Sequence, residues 1–150
     1  MKDQYILTSR LIERLHRRFL DVVKAELDRH SIEDINNVQT LILFNIGEET
    51  LTVGELTLRG YYLGSNVSYN VKKLVENGYL VQERSAHDRR MTRVRLSDKG
   101  LQLIEKIDAL YARSAKELEA AGIREADLDA VNTVLKRLER FWSVQLSFIR

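Results

Sequence analysis

The spacing of apolar residues changes once between residues 65 and 97, from a helical period to a strand period. A helix predicted over 65–78 has four apolar residues on one face: Val67, Val71, Leu74 and Val75. Residues three and four apart share a helix face, whereas alternate residues share a strand face. The segments YLVQERS and MTRVRLS follow as two strands joined by AHDRR. The sequence therefore predicts an amphipathic helix that leads directly into a β-hairpin.

The predicted hairpin carries much of the basic charge of the chain. In its second strand, Thr92, Val94 and Leu96 alternate with Arg93 and Arg95, which places both arginines on one face. Residues 51–100 contain nine basic and five acidic side chains, although the whole chain has a net charge of only +2. A local excess of positive charge favours a polyanionic partner, and chance variation is the alternative explanation.

A short helix precedes the amphipathic one. Thr52 and Glu55 have the spacing of a capping box at its start, and it is expected to end near Gly60. Ser65 is the predicted cap of the next helix, which Gly78 ends. Two short helices joined by a tight turn predict a helix-turn-helix motif.

Longer helices are predicted on both sides. The first spans about Gln4 to His30. A second begins after Asp34 as N-cap and stops at Gly47. On the C-terminal side, Ser97 is expected to cap a helix that runs to about 121, and the last helix spans about 125–148.

Composition argues against several classes of protein. The chain has 150 residues, no cysteine or proline, and no apolar run of about 20 residues. We expect no secretory signal, because the first residues contain no uninterrupted apolar region. The chain contains no phosphate-binding glycine loop and no metal-ligand motif. Its three histidines, His16, His30 and His87, are far apart. We expect a cytoplasmic protein of one unit that is not an enzyme, has no cofactor or metal and does not bind a membrane.

The polar face of the 65–78 helix is a candidate DNA surface. It carries hydroxyl, amide, phenol and ammonium groups, which suit base edges and phosphates in a major groove. An ordinary solvated face is the alternative. The candidate residues are Ser65, Asn66, Ser68, Tyr69, Lys72 and Lys73.

The hairpin extends this candidate surface. Arginine at its tip is suited to a narrow minor groove, and Asp88 could hold one guanidinium through a bidentate pair. The alternative is an exposed cluster of ion pairs without a partner. The candidate residues are Arg84, His87, Asp88, Arg89, Arg90, Arg93 and Arg95.

The order LTVGELTLRG, SNVSYNVKKLVENGYLVQERS, HDRRMTRVRLSDKG resembles the winged helix-turn-helix core of MarR-type transcriptional regulators. The DRR tip and the LSDKG helix start are its most specific parts. The turn segment LTLRGYYLG departs from the family in lacking a common small residue. The N-terminal segment 5–27 is similar to the LdtR branch. The resemblance implies that Arg90 enters the minor groove, with Asp88 positioning it and Arg89 beside it.

The predicted fold is mainly α with a small β-hairpin wing. A winged helix-turn-helix core over 34–98 is flanked by dimerisation helices over 4–30 and 99–149. Apolar stripes on the first and last helices, with Phe141, Trp142 and Phe148, favour an isologous homodimer. Packing of these stripes within one chain is the alternative.

The resemblance also implies a small-molecule effector bound between the dimerisation helices and the core. The candidate residues, which are equally plausible as core residues, are His16, Phe19, Leu20, Thr40 and Phe44. The sequence therefore predicts a homodimeric regulator that binds a near-palindromic operator in double-stranded DNA. It is expected to be a repressor relieved by an effector. The alternative is a winged-helix module that binds protein without reading DNA sequence.

Overall fold

The computed structural model describes residues 1–59, 64–84, 87 and 91–149, without the side chains of residues 64 and 65. Its contacts divide into two units, Met1–Ala109 and Leu110–Arg150. The elements are α1 (Lys2–Arg29), α2 (Asn37–Ile46), β1 (Leu51–Thr52), α3 (Val53–Leu58), α4 (Gly64–Glu76), β2 (Leu80–Arg84), β3 (Thr92–Leu96), α5 (Asp98–Ala120) and α6 (Glu125–Ser147). This mainly helical fold with a small antiparallel sheet confirms the predicted fold class. The domain boundaries at 34 and 98 stay predictions.

The sheet has three strands in the order β1-β3-β2. The predicted hairpin is β2 and β3, which pair antiparallel from Leu80 opposite Leu96 to Arg84 opposite Thr92. The strand β1 was not predicted, because two residues are too short to show a period. It is held by β3, with Leu51 opposite Val94.

The core of the first unit lies between the sheet and the helices. Leu56 of α3, Val67 of α4, Val94 of β3 and Ile42 of α2 are each completely buried. Burial of one such side chain stabilises a fold by about 1.5–3 kcal/mol, so this core fixes α3, α4 and the hairpin together. Within the part of the chain described, no helix is long and apolar enough to cross a bilayer.

The N-cap predicted for α2 was wrong. Asn36, not Asp34, caps this helix: its side-chain oxygen accepts from the Gln39 amide at 2.8 Å. The Gln39 side chain accepts from the Asn36 amide in return, so the two residues form a capping box. Asp34 is occupied elsewhere, by residues distant in sequence.

Caps were also predicted for the helices α3, α4 and α5. Thr52 and Glu55 form the predicted capping box of α3. Ser97 caps α5, since its hydroxyl accepts from the Gly100 amide at 3.2 Å. The cap predicted for α4 stays a prediction, because the helix spans Gly64–Glu76 and the side chain of Ser65 lies outside the described part of the chain. The predicted helix-turn-helix turn falls on residues 60–63, outside the described residues.

A polar junction joins the end of α4 to the start of α5. Asp34 accepts hydrogen bonds from the Tyr79 hydroxyl and from Lys99 Nζ, each at 2.6 Å. Lys99 also donates to the Asn77 carbonyl at 2.9 Å and lies over the Tyr79 ring, 4.3 Å from its centre. The junction therefore holds the turn that follows α4 against the start of α5 and against the segment that precedes α2.

The Asp34 carboxylate makes the junction sensitive to acid. Burial alone raises the pKa of Asp34, but the hydrogen bonds from Lys99 and Tyr79 outweigh it and lower the pKa below its usual value. A lowered folded-state pKa stabilises the fold above the unfolded-state pKa of about 3.9. This contribution is lost as the pH falls through the folded-state pKa.

We predict that Asp34→Asn lowers the free energy of unfolding by up to about 1 kcal/mol at pH 7, because the ion pair is half exposed. The difference from the wild type should shrink as the pH falls from about 4 to 2. Urea unfolding across this range measures it. Glu33→Gln, which removes an exposed neighbouring carboxylate, is the matched control. A difference that stays constant with pH would contradict the role of Asp34.

Candidate nucleic-acid interface

The helix α4 has one buried and one exposed face, as its sequence predicted. Val67, Val71 and Leu74 are all at most 3% exposed, so this face is held in the core. The opposite face carries exposed polar side chains that do not contribute to the core: Asn66, Ser68, Tyr69 and Lys72. The helix therefore presents hydroxyl, amide, phenol and ammonium groups on a rigid support.

The two lysines of α4 differ in their surroundings. Lys73 Nζ lies 3.5 Å from a Glu76 carboxylate oxygen and 5.9 Å from the centre of the Tyr69 ring. Lys72 is exposed and forms no ion pair within the described part of the chain. Because Lys73 already has a local anion, Lys72 is the better candidate for a phosphate contact.

The strand register separates the basic residues of the hairpin into two groups. Arg93 lies opposite Glu83, and Arg95 pairs with the Glu83 carboxylate at 2.7 Å on the same face. The prediction that Arg93 and Arg95 share a face is confirmed. Arg84 lies opposite Thr92, so the pleat places it on the other face. Glu83 was not among the predicted site residues, although the antiparallel register brings it beside both arginines.

A cleft of about 730 Å³ separates α4 from the hairpin. Ser68 and Lys72 line its helical side, and Gln82 and Thr92 line its strand side. Gln82, Arg84 and Thr92 share one face of the sheet by register. The cleft thus connects the polar face of α4 to the end of the hairpin that carries Arg84. None of its strand residues was among the predicted site residues.

The predicted tip residues Asp88, Arg89 and Arg90 lie outside the described residues, as does the side chain of Ser65. His87 is exposed. The roles of all these residues in DNA binding stay predictions.

The five predicted effector residues lie at different depths. Thr40 is completely buried, and its hydroxyl donates to the Asn36 carbonyl at 2.8 Å. Leu20 and Phe44 are partly buried, whereas His16 and Phe19 are exposed. Thr40 therefore has a structural hydrogen bond of its own, and binding of an effector here stays a prediction.

Comparisons with known proteins identify the family. The sequence profile described as MarR family matches residues 33–91, which include α2 to α4 and the first strand of the hairpin, β2. The chain is 38% identical over 138 residues to the exopolysaccharide II synthesis transcriptional activator ExpG of Rhizobium meliloti, covering 92% of this chain and 71% of that protein. The chain belongs to the MarR family.

Two solved structures of proteins in complex with DNA share the fold of this chain. FabT of Streptococcus pneumoniae in complex with DNA matches with a TM-score of 0.72 at 20% identity, over 94% of this chain and 99% of that one. A mutant form of MarR from E. coli, complexed with operator DNA, matches with a TM-score of 0.73 at 17% identity, over 91% and 96%. The fold is thus a winged helix, and its MarR-family membership makes the chain a transcription regulator. The similarity to the LdtR branch stays a prediction.

Proposed function

We propose that the chain is a homodimer that binds a near-palindromic operator in double-stranded DNA in a sequence-specific way. The observation that carries the proposal is the exposed polar face of α4, which continues across a cleft to the hairpin. A helix of this kind fits a major groove, and the adjacent hairpin reaches the neighbouring minor groove. The two DNA complexes with the same fold support this arrangement.

Each part of the surface has a role in the proposal. Asn66, Ser68 and Tyr69 are proposed to contact base edges, with Ser65 at the start of the helix. Arg90 enters the minor groove, held by Asp88 and flanked by Arg89. Phosphate contacts are drawn from the remaining basic side chains, not all of which need touch DNA: Lys72, Lys73, Arg84, His87, Arg93 and Arg95. A DNA-binding regulator acts in the compartment that holds DNA, which supports a cytoplasmic location.

Exposed apolar stripes support a dimer. On α1, Leu7, Leu11, Leu15 and Val22 are between 40% and 62% exposed. On α6, no residue is buried, and Leu128, Val131 and Leu135 are between 40% and 52% exposed. Exposed apolar stripes such as these are usually covered by a partner. A second copy of the chain covers them with two-fold symmetry and sets two α4 helices on two half-sites.

Repression and activation are both candidate modes of regulation. The resemblance to MarR-type regulators implies repression relieved by a small molecule, whereas the 38%-identical relative is a transcriptional activator. A reporter gene controlled by the operator distinguishes repression from activation. Expression that rises when the regulator is deleted shows repression, and expression that falls shows activation.

Selection of bound duplexes from a random library, followed by sequencing, tests the proposal. A palindromic consensus is expected, together with a steep fall in affinity as salt increases. Micromolar binding without sequence preference would instead support a winged-helix module that binds protein.

We predict that Arg90→Ala lowers operator affinity about 10- to 100-fold while leaving the thermal unfolding curve unchanged. Loss of one guanidinium from a narrow minor groove removes a favourable electrostatic contact. Fluorescence anisotropy with the selected operator measures the change. Arg137→Ala removes the same charge from the exposed α6 helix and is the matched control. Equal affinity of the two variants would show that the wing assignment is wrong.

A further inference from the structure

One buried glutamine, Gln39, connects the start of α2 to the helix α4 through hydrogen bonds. Gln39 is only 7% exposed. Its Oε1 accepts from the Asn36 amide at 3.1 Å, and its Nε2 donates to Asn70 Oδ1 at 3.1 Å. Asn36 caps α2, so this hydrogen-bonded chain runs from the α2 N-terminus to the middle of α4.

The chemistry of the chain fixes its direction. The Asn36 backbone amide can only donate, so the end of Gln39 that faces it must be the carbonyl oxygen. The other end of Gln39 is then the NH₂ group, which can only donate. Asn70 must therefore turn its own oxygen towards Gln39, which leaves its NH₂ group on the far side.

Asn70 lies at the edge of the polar face of α4. It is partly exposed and follows Asn66 by four residues and precedes Lys73 by three, so the three share one side of the helix. Within the described residues, its hydrogen bond from Gln39 is the only one the side chain makes. The Asn70 NH₂ group is therefore a fixed donor beside the surface proposed to bind DNA.

We infer that Asn70 is a further specificity-determining residue, and that Gln39 is the positioning residue that holds its NH₂ group towards the DNA. This inference rests on the proposed function. A fixed donor selects acceptor edges in the major groove, such as guanine N7 and O6 or thymine O4, and disfavours the cytosine amino group. Neither residue was among the predicted site residues, since Gln39 and Asn70 are 31 positions apart and only the fold brings them together.

Two substitutions test the inference, because each replaces the Asn70 NH₂ donor at the surface with an oxygen acceptor. In Asn70→Asp, one carboxylate oxygen still accepts from Gln39 while the other replaces the NH₂ group with an acceptor. In Gln39→Glu, the carboxylate still accepts from the Asn36 amide but cannot donate to Asn70, so the Asn70 amide turns over and presents its oxygen. Both variants should lower affinity for the wild-type operator about tenfold.

The base consensus obtained by library selection is a second readout. It would not change if Gln39 and Asn70 only stabilised the fold. The consensus of both variants should change at the same position in each half-site, towards a base with a major-groove donor, such as cytosine. Gln39→Met, which fills the space without hydrogen bonds, should relax the preference at that position. Gln102→Glu adds the same charge as Gln39→Glu on an exposed part of α5 and should leave the consensus unchanged.

The outcomes separate this inference from the proposed function. A wild-type protein that selects no consensus overturns the proposed function. A selective wild type whose consensus persists in folded Asn70→Asp overturns the inference alone, as does an equal loss of affinity on every duplex. If the buried Gln39→Glu fails to fold, Asn70→Asp carries the test because that residue is partly exposed.

Discussion

Leu135→Lys is expected to convert the proposed dimer to a monomer and to lower operator affinity by about 100-fold or more. Leu135 is 40% exposed in the single chain, so a lysine there can extend into water without disturbing its own helix. In a dimer that covers the α6 stripe, the same ammonium would be buried without a partner, which is costly. The free energy of association should therefore fall sharply.

The effect on DNA binding follows from the loss of one half-site. Two linked binding sites exceed the affinity of either site by about 100- to 10,000-fold, because the second contact becomes intramolecular. A monomer loses this gain. Sedimentation equilibrium measures the association, and anisotropy with the full operator and with a single half-site measures the binding.

Thr133→Lys is the matched control for Leu135→Lys. Thr133 is exposed, and its hydroxyl donates to the Asp129 carbonyl within the same helix. Two residues along a helix amount to a rotation of about 200°, so Thr133 lies nearly opposite Leu135. The control should remain dimeric with unchanged affinity. A Leu135→Lys protein that is still a dimer would show that the α6 stripe is not the interface.

Features encoded by neighbouring residues could be predicted from the sequence. The two faces of α4 follow from the spacing of Val67, Val71 and Leu74, and the hairpin follows from alternation in β3. The capping box of α3 lies within four residues, Thr52 to Glu55. In each case the pattern and the structure depend on the same short segment, so no distant contact had to be known.

Features fixed by distant residues could not be predicted in the same way. Asp34 resembles an N-cap locally, but Tyr79 and Lys99, 45 and 65 positions away, hold it in the junction. The strand β1 exists because Leu51 pairs with Val94. The pairing of Glu83 with Arg95 depends on the hairpin register. The true cap of α2 did have a local signal, since Asn36 and Gln39 have capping-box spacing.

At Gly100, at the start of α5, an added Cβ atom would meet a closer contact than at Gly47, Gly54, Gly78 or Gly122. A Cβ atom on Gly100 would lie 2.4 Å from the Tyr79 carbonyl oxygen and 3.2 Å from Leu96 Cγ. The carbonyl cannot easily move, because it accepts from the Ser97 amide at 3.0 Å. Leu96 is itself buried in the core. The close approach lets α5 begin directly against the turn that follows α4.

Gly100→Ala should therefore lower the free energy of unfolding by about 3 kcal/mol or more, the upper range for an overpacked core. Gly54→Ala is the matched control: its Cβ would meet only the Thr52 hydroxyl oxygen, at 3.8 Å. Since Gly54 lies inside α3, alanine there should raise stability by about 0.5–1 kcal/mol. Urea unfolding of both variants measures the two changes in the free energy of unfolding, which should have opposite signs. If Gly100→Ala unfolds within about 1 kcal/mol of the wild type, the start of α5 can shift away from the Tyr79 carbonyl, and the contact does not fix the position of α4 relative to α5.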